Sequence, residues 1–485
     1  MGDVVRSLIP ARLDRLKWSS FHTRLVVALG VAWVLDGMEI TIASAVGTVL
    51  QDKQTLGLSA VEVGLTATVY LAGEVVGALV FGRLSDKLGR RKLFILTLAL
   101  YLIANGITAF SPNLAFLLVF RFFAGMGIGG EYAAIHSAID ELIPSRYRGR
   151  VDLAVSGTYW LGAIFGTAST YVLLNPDILP VDLGWRIGLI IGPLLGLLIW
   201  GLRKHLPESP RWLLMHGRQE EAEEAVKVVE AAATHGHGGE LPPVDEDKAI
   251  EVRPHGAPTY REILRVVFRE YPKRTILGVT LMVSQSFMYN AIFFTYVMVL
   301  NTFFDVSASD SSKFLLIFAV GNLAGPLLLG KLFDTIGRKP MIAGTYAIAG
   351  VLLAVTAWLF KQGVLTATTQ TLLWGVIFFF ASAAASSGYL TVSELFPLEI
   401  RALAIALFFS IAQGVGALGP VIFGALIGSE DDPDPTGLFY GYLGASALML
   451  VAAVVAMVFG VKAERRSLEE LTPALSMRAA ERTSA

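Results

Sequence analysis

One sequence motif occurs twice in this chain, at a separation of about half its length. GRLSDKLGRRK (Gly82–Lys92) returns in altered form as GKLFDTIGRKP (Gly330–Pro340), 248 residues later in a chain of 485. A second pair keeps almost the same offset: ELIPSRYRGR (Glu141–Arg150) and ELFPLEIRAL (Glu394–Leu403) lie 253 residues apart. Two motifs repeated in the same order predict two homologous halves.

The segments between these motifs are long and apolar. Hydrophobic residues make up 54% of the chain and charged residues 16%, whereas typical soluble domains are about 25% charged. A helix of roughly 20 apolar residues crosses about 30 Å of hydrocarbon. Such stretches lie at approximately 25–50, 61–82, 93–110, 114–143, 151–174, 185–203, 274–300, 313–333, 341–360, 369–393, 402–427 and 437–461. We therefore expect an all-α protein of twelve transmembrane helices, in two six-helix repeats embedded in a lipid bilayer.

Lysine and arginine predict the orientation of this bundle, because they concentrate in cytoplasmic loops. The loops at both motifs are basic, whereas the last loop on the opposite side (Ser429–Pro435) is acidic. We expect a multi-pass protein of the cell (inner) membrane with both termini in the cytoplasm. The predicted segments are an N-terminal cytoplasmic segment (1–24), a six-helix bundle (25–203), a cytoplasmic loop (204–273), a second six-helix bundle (274–461) and a cytoplasmic tail (462–485).

Several function classes are disfavoured by composition and motifs. The net charge of −1 argues against a nucleic-acid partner, and a chain without cysteine has no thiol nucleophile or cysteine-ligated metal. No phosphate loop occurs that would power ATP-driven pumping. GMGIGG (125–130) has the spacing of a dinucleotide-binding loop but lies inside an apolar run. Its glycines, like Gly73/Gly77 and Gly162/Gly166, instead have the four-residue spacing that allows membrane helices to approach closely.

The polar stretch between the two halves is predicted to hold one solvated helix, within 217–233, followed by a linker. Acidic residues at its start favour a helix N-terminus, and HGHGGELPP (235–243) interrupts any helix. His235 and His237 leave a metal-sensing role open, although a polar linker explains them more simply. We expect no metal site, no organic cofactor and no obligate protein partner; the coupling ion would be a proton.

The ordered motifs resemble those of the major facilitator superfamily, in particular its sugar-porter and related metabolite:proton symporter branch. PESPRWLL (Pro207–Leu214) after the sixth span and RRSLEEL (Arg465–Leu471) after the twelfth stand where this family carries signatures. The resemblance covers nearly the whole chain. It implies two six-helix halves around a central cavity that opens to one side of the membrane at a time, and a transporter rather than an enzyme.

The repeated loop motifs predict a cytoplasmic gate. Gly82 and Gly89 allow a tight turn, and the arginines after it can reach a carboxylate at the end of a neighbouring helix, such as Glu141. The alternative is that the basic residues only set topology. The predicted gate residues are Gly82, Asp86, Arg90, Arg91, Glu141, Arg150, Glu208, Asp334, Arg338, Glu394 and Arg401.

Charged residues inside the spans predict proton coupling, because a charge in hydrocarbon costs several kcal/mol unless it is paired or hydrated. Asp36 and Glu39 are three residues apart and share a helix face. Arg121 on the fourth span can meet Asp36 across the cavity, and in the resemblance these two match the titrating carboxylate and its partner. Glu131 lies near mid-membrane in the same span. The alternative is a static ion pair.

Polar and aromatic residues of the second half are predicted to contact the solute. Gln285 and Asn290 match seventh-span amides of sugar porters, Asn322 matches an eighth-span asparagine, and Tyr389 occupies the tenth-span aromatic position. Amides offer donors and acceptors to hydroxyl or carboxylate groups. Ser284 stands where sugar porters carry glutamine, and the pair Asp36–Glu39 is more similar to organic-acid and aromatic-acid symporters.

The sequence thus predicts a proton-coupled symporter of a small polar organic solute, with an organic or aromatic carboxylate ahead of a sugar. Two alternatives remain open at this point. One is a proton-coupled antiporter that exports a drug or metabolite, and the other is a transporter-like sensor that signals through the central loop.

Overall fold

The structure is a computed structural model in which helices dominate. It describes residues 5–58, 60–175, 177–203, 208–237, 241, 243–244, 246, 249–252, 259–306, 308–429, 432–433 and 435–472. Within these residues two short antiparallel strand pairs occur: β1 (Val5–Ser7) with β2 (Ile250–Val252), and β3 (Gly428–Ser429) with β4 (Asp432–Pro433).

The helices fall into two sets of long elements with short ones between them. The first set follows a short N-terminal helix: α1 (Ile9–Asp14), α2 (Ser20–Val49), α3 (Ala60–Leu88), α4 (Arg90–Thr108), α5 (Leu114–Leu142), α6 (Ser145–Leu173) and α7 (Val181–Arg203). The middle segment contains α8 (Pro210–Met215), α9 (Gln219–His237), α10 (Tyr260–Arg265) and a π-helical turn (Val266–Glu270). The second set is α11 (Pro272–Phe304), α12 (Ala308–Thr335), α13 (Arg338–Lys361), α14 (Ala367–Leu395), a 3-10 turn (Leu398–Ile400), α15 (Arg401–Gly416), α16 (Leu418–Ile427), α17 (Pro435–Phe459) and α18 (Leu468–Leu471).

The predicted bundle of twelve long helices is confirmed, with one break. Among the described residues, ten segments are long and apolar enough to cross a membrane, and α15 with α16 counts as one of them. The other two long helices are α6 and α7; α6 begins with several charged residues. The eleventh span breaks between Gly416 and Leu418. Pro420 follows four residues after Gly416 and removes the N–H that would continue the helix.

Glycines hold the helices of the first half in close contact, as their spacing predicts. A Cβ atom on Gly77 of α3 would lie 2.1 Å from the carbonyl oxygen of Met126 on α5, and one on Gly129 of α5 would lie 2.0 Å from that of Glu74. Between α6 and α2, a Cβ on Gly162 would lie 1.9 Å from the carbonyl oxygen of Val34. Only glycine permits backbones this close.

Each of the two repeated loops has a glycine with positive φ immediately before the helix that follows it. Gly89 before α4 has φ +94°, and Gly337 before α13 has φ +123°, a region that other residues rarely adopt. Both loops lie at one end of the bundle, together with the ends of α5 and α14. We call this end the motif end. The halves also meet at this end, where Gly82 of α3 faces Ala406 of α15 and Gly330 of α12 faces Arg150 of α6.

The middle segment forms a second small core with the N-terminus. Its helix α9 is not solvated on all sides: Ala222, Val226 and Val229 are buried against Leu13 of α1. Arg12 pairs with Glu230 at 2.6 Å beside this core. Composition alone indicated a solvated helix because α9 contains many acidic residues besides those of its apolar face.

The glycine contacts predict a sharp contrast between two alanine substitutions. Gly77→Ala should lower the unfolding free energy by about 1–3 kcal/mol, because the methyl group forces α3 away from α5. Gly344→Ala on α13 should have little effect, since a Cβ there meets no atom within 4 Å. Thermal unfolding of both variants in the same detergent checks this; equal melting temperatures would contradict the packing role of Gly77.

Candidate functional site

A cavity of about 220 Å³ lies between the two halves. Helices α2, α3, α5 and α6 of the first half and α11, α14 and α15 of the second contribute to its wall. Eight of the nineteen lining residues are aromatic: Trp33, Tyr132, Tyr159, Trp160, Tyr289, Phe293, Tyr389 and Phe409. The cavity therefore offers extended π-surfaces to a bound molecule.

The polar part of the wall is a chain of side chains from both halves. Glu74 of α3 shares a side-chain hydrogen bond with Gln413 of α15. The Oε1 atom of Gln413 accepts a hydrogen bond of 2.8 Å from Ser286 Oγ, and Ser286 Oγ accepts one of 3.4 Å from Asn290 Nδ2. An acid of one half is thereby linked to the amides of the other.

Three of the four predicted solute-contacting residues line the cavity. Gln285, Asn290 and Tyr389 do so. Asn322 does not: it is fully buried, accepts a 2.6 Å hydrogen bond from Tyr289 Oη and donates to the Phe318 carbonyl. The amide of Asn322 instead faces a neighbouring helix and orients Tyr289, which does line the cavity. A direct contact of Asn322 with a solute stays a prediction.

Sequence reasoning did not single out Gln413, Ser286 or Tyr289 for this wall. Tyr289 lies within the motif that identified Gln285 and Asn290, one helical turn from Gln285, and this periodicity was the available signal. The sequence held no such signal for Gln413, because this residue stands alone in an apolar helix and its role depends on the packing of α15 against α3.

The two acids of α2 have different partners. Asp36 accepts a hydrogen bond from Tyr132 Oη, and Glu39 lies 3.5 Å from Arg121 Nη1. Arg121 therefore pairs with Glu39 rather than with Asp36 as expected. Helices α2 and α5 are antiparallel, and Arg121 lies in the first turns of α5, so the acid farther along α2 is nearer to it. The Arg121 guanidinium also stacks 5.3 Å from the Tyr70 ring.

The remaining predicted coupling residue, Glu131, is buried on α5. It lies close enough to Asp36 for the two charges to repel each other. Asp36, Glu39, Glu74 and Glu131 are all at least 96% buried, and Arg121 is the cation that pairs with Glu39. This part of the first half therefore concentrates titratable acids in a low-dielectric region.

A histidine connects the cavity to the motif end. His136 Nδ1 lies 2.6 Å from Asp152 Oδ1, and both residues are fully buried. The imidazole stacks on Tyr389 with ring centroids 4.7 Å apart and planes at 7°. His136 and Asp152 belong to the first half and Tyr389 to the second, so the stack crosses the interface between halves.

At the motif end of the first half, Arg90 is the central cation. Its Nη2 donates to Glu141 Oε1 at 2.9 Å, and its Nη1 donates to the Ser85 carbonyl. Glu208 accepts from the backbone N–H of Arg90 at 2.8 Å and so caps α4. Burial raises the pKa of the Glu208 carboxyl above its ordinary value, while the Ser209 N–H and the charge of Arg90 oppose that rise.

The second half repeats this arrangement with its own residues. Arg338 pairs with Asp334 at 2.7 Å and makes two hydrogen bonds of 3.0 Å to Glu394. Glu464 accepts from the Arg338 backbone N–H at 3.3 Å, as Glu208 does from Arg90. The repeat seen in the sequence is therefore a repeat of ion pairs and helix caps.

Several of these groups bridge the halves. Asp334 accepts hydrogen bonds from the backbone N–H groups of Gly149 (3.1 Å) and Arg150 (2.8 Å) at the start of α6. Arg148 lies 3.6 Å from Glu394, and Arg401 lies 3.9 Å from Glu141. Gly82 faces α15, where its added Cβ would lie 2.7 Å from Ala406 Cβ. In this structure the halves are joined at the motif end.

The other predicted gate residues take different positions. The backbone N–H of Arg150 donates to Asp334, while the Arg150 guanidinium stacks 4.4 Å from the centre of the Tyr147 ring. Arg91 is exposed and meets Glu208 through its backbone. The side chain of Asp86 lies outside the described residues. Arg148 and Asp140, fully buried in this cluster, were missed as gate residues although Arg148 lies within the second repeated motif.

Within the described residues, no three histidine, aspartate or glutamate side chains are grouped as metal ligands. The side chains of His235 and His237 lie outside the described part of the chain, so the metal-sensing alternative at the linker has no structural description.

Comparison with known proteins identifies the family. The family model "Sugar (and other) transporter" matches residues 37–475. The niacin transporter NiaP of Acinetobacter baylyi is 26% identical over 462 residues, which cover 95% of this chain and 99% of that protein. The putative metabolite transport protein YdjK of Escherichia coli is 28% identical over 494 residues, covering 97% and 98%.

A solved structure has the same fold. The proton:xylose symporter XylE, bound to a bromodeoxyglucose, superposes with a TM-score of 0.75 at 20% identity, covering 93% of this chain and 98% of that one. The family match spans most of the chain and both six-helix halves. The chain therefore belongs to the sugar (and other) transporter family of the major facilitator superfamily, and it is a multi-pass membrane transporter.

Proposed function

We propose that this protein carries a small polar organic solute together with a proton, by alternating access of the central cavity. One observation carries the proposal: four acids are buried beside or in the wall of a cavity that both halves share. A carboxylate that is desolvated in one state and hydrated in the other changes its proton affinity with conformation, which is the requirement for coupling. XylE, which has this fold, is a proton symporter.

The charged contacts of the motif end support a gate. Asp334 accepts hydrogen bonds from two backbone N–H groups in the second turn of α6 across the interface, and a hydrogen bond to an ionised carboxylate is stronger than one between neutral groups. These contacts exist only while the halves are joined there. We propose that they stabilise the form closed at the motif end, with the predicted gate residues acting as a group.

The proposed setting follows from the basic loops. The motif end would face the cytoplasm, with both termini and the segment 204–273 on the same side of the cell membrane. A proton is the proposed coupling ion, with no organic cofactor. Relatives named as niacin transporters support a solute that carries a ring.

Asp36→Asn should abolish uphill accumulation driven by a pH gradient, because the amide does not titrate. Exchange of solute across the membrane should persist, since asparagine keeps the size and polarity of the side chain. Labelled solute uptake into proteoliposomes, with and without an imposed gradient, measures both. The matched control is Asp177→Asn, at an exposed loop position; gradient-driven accumulation by Asp36→Asn would remove Asp36 from coupling.

Arg121→Lys separates an anion-binding arginine from one that acts on Glu39. We expect solute affinity to change by less than about twofold, because Arg121 pairs with Glu39 and is not part of the described cavity wall. The pH optimum of transport should move, since lysine loses the planar grip on the carboxylate. Binding at a pH where both acids are ionised is the decisive measurement; a large loss of affinity would show that Arg121 binds an anionic solute.

Asp334→Asn should open the motif end. Replacing a charged acceptor by a neutral one in these hydrogen bonds should cost about 1–2 kcal/mol, so the open population should rise about 5- to 30-fold. The chain has no cysteine, and Ala406→Cys places a single reporter opposite Gly82. Its rate of labelling by a water-soluble maleimide reports opening.

The control for this gate experiment is Asp305→Asn in the same reporter background. Asp305 is exposed, and its φ of 53° suits asparagine equally well. Equal labelling rates in the two variants would show that Asp334 does not control opening of the motif end.

A further inference from the structure

A buried histidine and a buried aspartate lie between the cavity and the motif end. His136 of α5 and Asp152 of α6 are fully buried, and His136 Nδ1 lies 2.6 Å from Asp152 Oδ1. With the carboxylate ionised, Nδ1–H donates to it, and Nε2 of the neutral ring keeps a lone pair. Among the described residues, His136 Nε2 has no hydrogen-bond partner. The pair therefore has one atom, Nε2, at which a further proton can bind.

The fold does not require these two positions to be polar. His136 and Tyr389 are 253 residues apart, the same offset as the second pair of repeated motifs, so they are equivalent positions of the two halves. By this offset the equivalent of Asp152 is Ile405, which is fully buried in α15. The second half thus fills both positions without a histidine or a carboxylate. Since a buried ionisable pair is weak evidence for stability, the pair in the first half indicates a function.

Aromatic rings separate the histidine from the cavity. The Tyr389 ring of the second half is stacked on the imidazole, with centroids 4.7 Å apart and planes at 7°. The Trp33 ring of α2 lies 6.0 Å from the imidazole at 72° to it. Tyr389 and Trp33 both line the cavity, whereas His136 is not part of the described wall. Because the stack joins equivalent positions of the two halves, their separation at the motif end would remove the Tyr389 ring from the imidazole.

Ionisable side chains surround His136 on three helices. They are Asp152 of α6, Tyr389 of α14, and Tyr132 and Asp140, which lie one turn before and one turn after His136 on α5. Tyr132 Oη donates to Asp36. Asp140 lies 3.7 Å from Arg148 and close enough to Asp152 for the two charges to repel. The pair is therefore placed between the acid at Asp36 and the charged cluster of the motif end.

We propose that His136 and Asp152 form a second proton-binding site, which the Tyr389 ring shields from water while the motif end is closed. The proton binds to Nε2, and the resulting imidazolium keeps its hydrogen bond to Asp152. Separation of the halves at the motif end uncovers Nε2, so the site exchanges protons with water in that form. This inference rests on the alternating access proposed above and adds a proton site to the acids around Asp36.

Diethyl pyrocarbonate tests the shield on the purified full-length protein, because it modifies neutral imidazole and not imidazolium. Trypsin cuts after Arg121 and Arg146, and the peptide 122–146 contains His136 as its one histidine, so mass spectrometry follows this residue alone. At about pH 7.5 we expect Tyr389→Ala to raise the modification rate of His136 at least about tenfold, since a buried group reacts only when it is uncovered. Tyr389→Phe is the matched control: it keeps the stacked ring and should leave the rate unchanged.

The pH dependence of this rate in Tyr389→Ala shows whether His136 binds a proton. The rate should rise at least about fourfold between about pH 5 and pH 8, the range in which an accessible histidine changes charge. A histidine that stays neutral would react at the same rate throughout. Asp152→Asn in this background should reduce the rise to below about twofold, because the imidazolium loses its carboxylate partner. Asp177→Asn, at an exposed loop position, is the control.

The gate variant Asp334→Asn tests the link to the motif end. The His136 rate should rise together with labelling of the Ala406→Cys reporter, and Asp305→Asn should change neither. If the reporter shows opening while the His136 rate stays unchanged, the halves do not control this site and the proposal fails. If neither rate rises, the gate proposal alone fails, and the Tyr389 comparison decides the proton site. The pH series on Asp334→Asn keeps the test decisive if Tyr389→Ala does not fold.

Two results overturn the proton site itself. One is an equal His136 rate in Tyr389→Ala and Tyr389→Phe, and the other is a rate in Tyr389→Ala that does not change with pH. These measurements need neither a solute nor a pH gradient. Gradient-driven accumulation by Asp36→Asn would therefore contradict the proposed coupling without bearing on His136, and a failure at His136 would leave the Asp36 experiment unaffected.

Discussion

The binding of Asp334 to the start of α6 is the contact on which the arrangement of the two halves depends. One carboxylate of the second half accepts two backbone N–H groups of the first, while Arg338 neutralises it from its own side. Both interactions are charge-assisted and buried, so their loss would leave unpaired groups in a region of low dielectric. Separation of the halves at this end therefore needs water to enter, which couples opening of the bundle to hydration of the cluster.

The cost of burying charge also determines the arrangement around the cavity. Acids of α2, α3 and α5 lie behind or within the wall of the cavity. Binding a proton removes the charge of such an acid at the least cost in free energy. Glu74 and Gln413 connect these acids to the amides of α11, so a solute at the amides and a proton at the acids occupy one continuous polar chain. The stack of His136 on Tyr389 continues this contact toward the motif end.

Much of the fold and part of the site followed from the sequence. The repeated motifs and apolar runs specified twelve helices in two halves because hydrophobicity and length alone determine whether a helix spans a membrane. The Arg90–Glu141 and Arg338–Glu394 contacts were also accessible, since each repeated glycine–arginine turn has one acid at the end of a neighbouring helix. Gln285, Asn290 and Tyr389 were found in the wall by their resemblance to known positions.

What the sequence determined was the set of local elements, the two-fold repeat and the residue types available for chemistry. The tertiary structure decided the partners. Arg121 meets Glu39 and not Asp36, Asn322 faces Tyr289 and not the cavity, and Gln413 reaches Glu74 from a helix 339 residues away along the chain. These outcomes depend on the rotation and depth of each helix against its neighbours. The glycine spacing in one helix indicates that a close contact exists, but it does not say which helix provides that contact or at what depth and rotation.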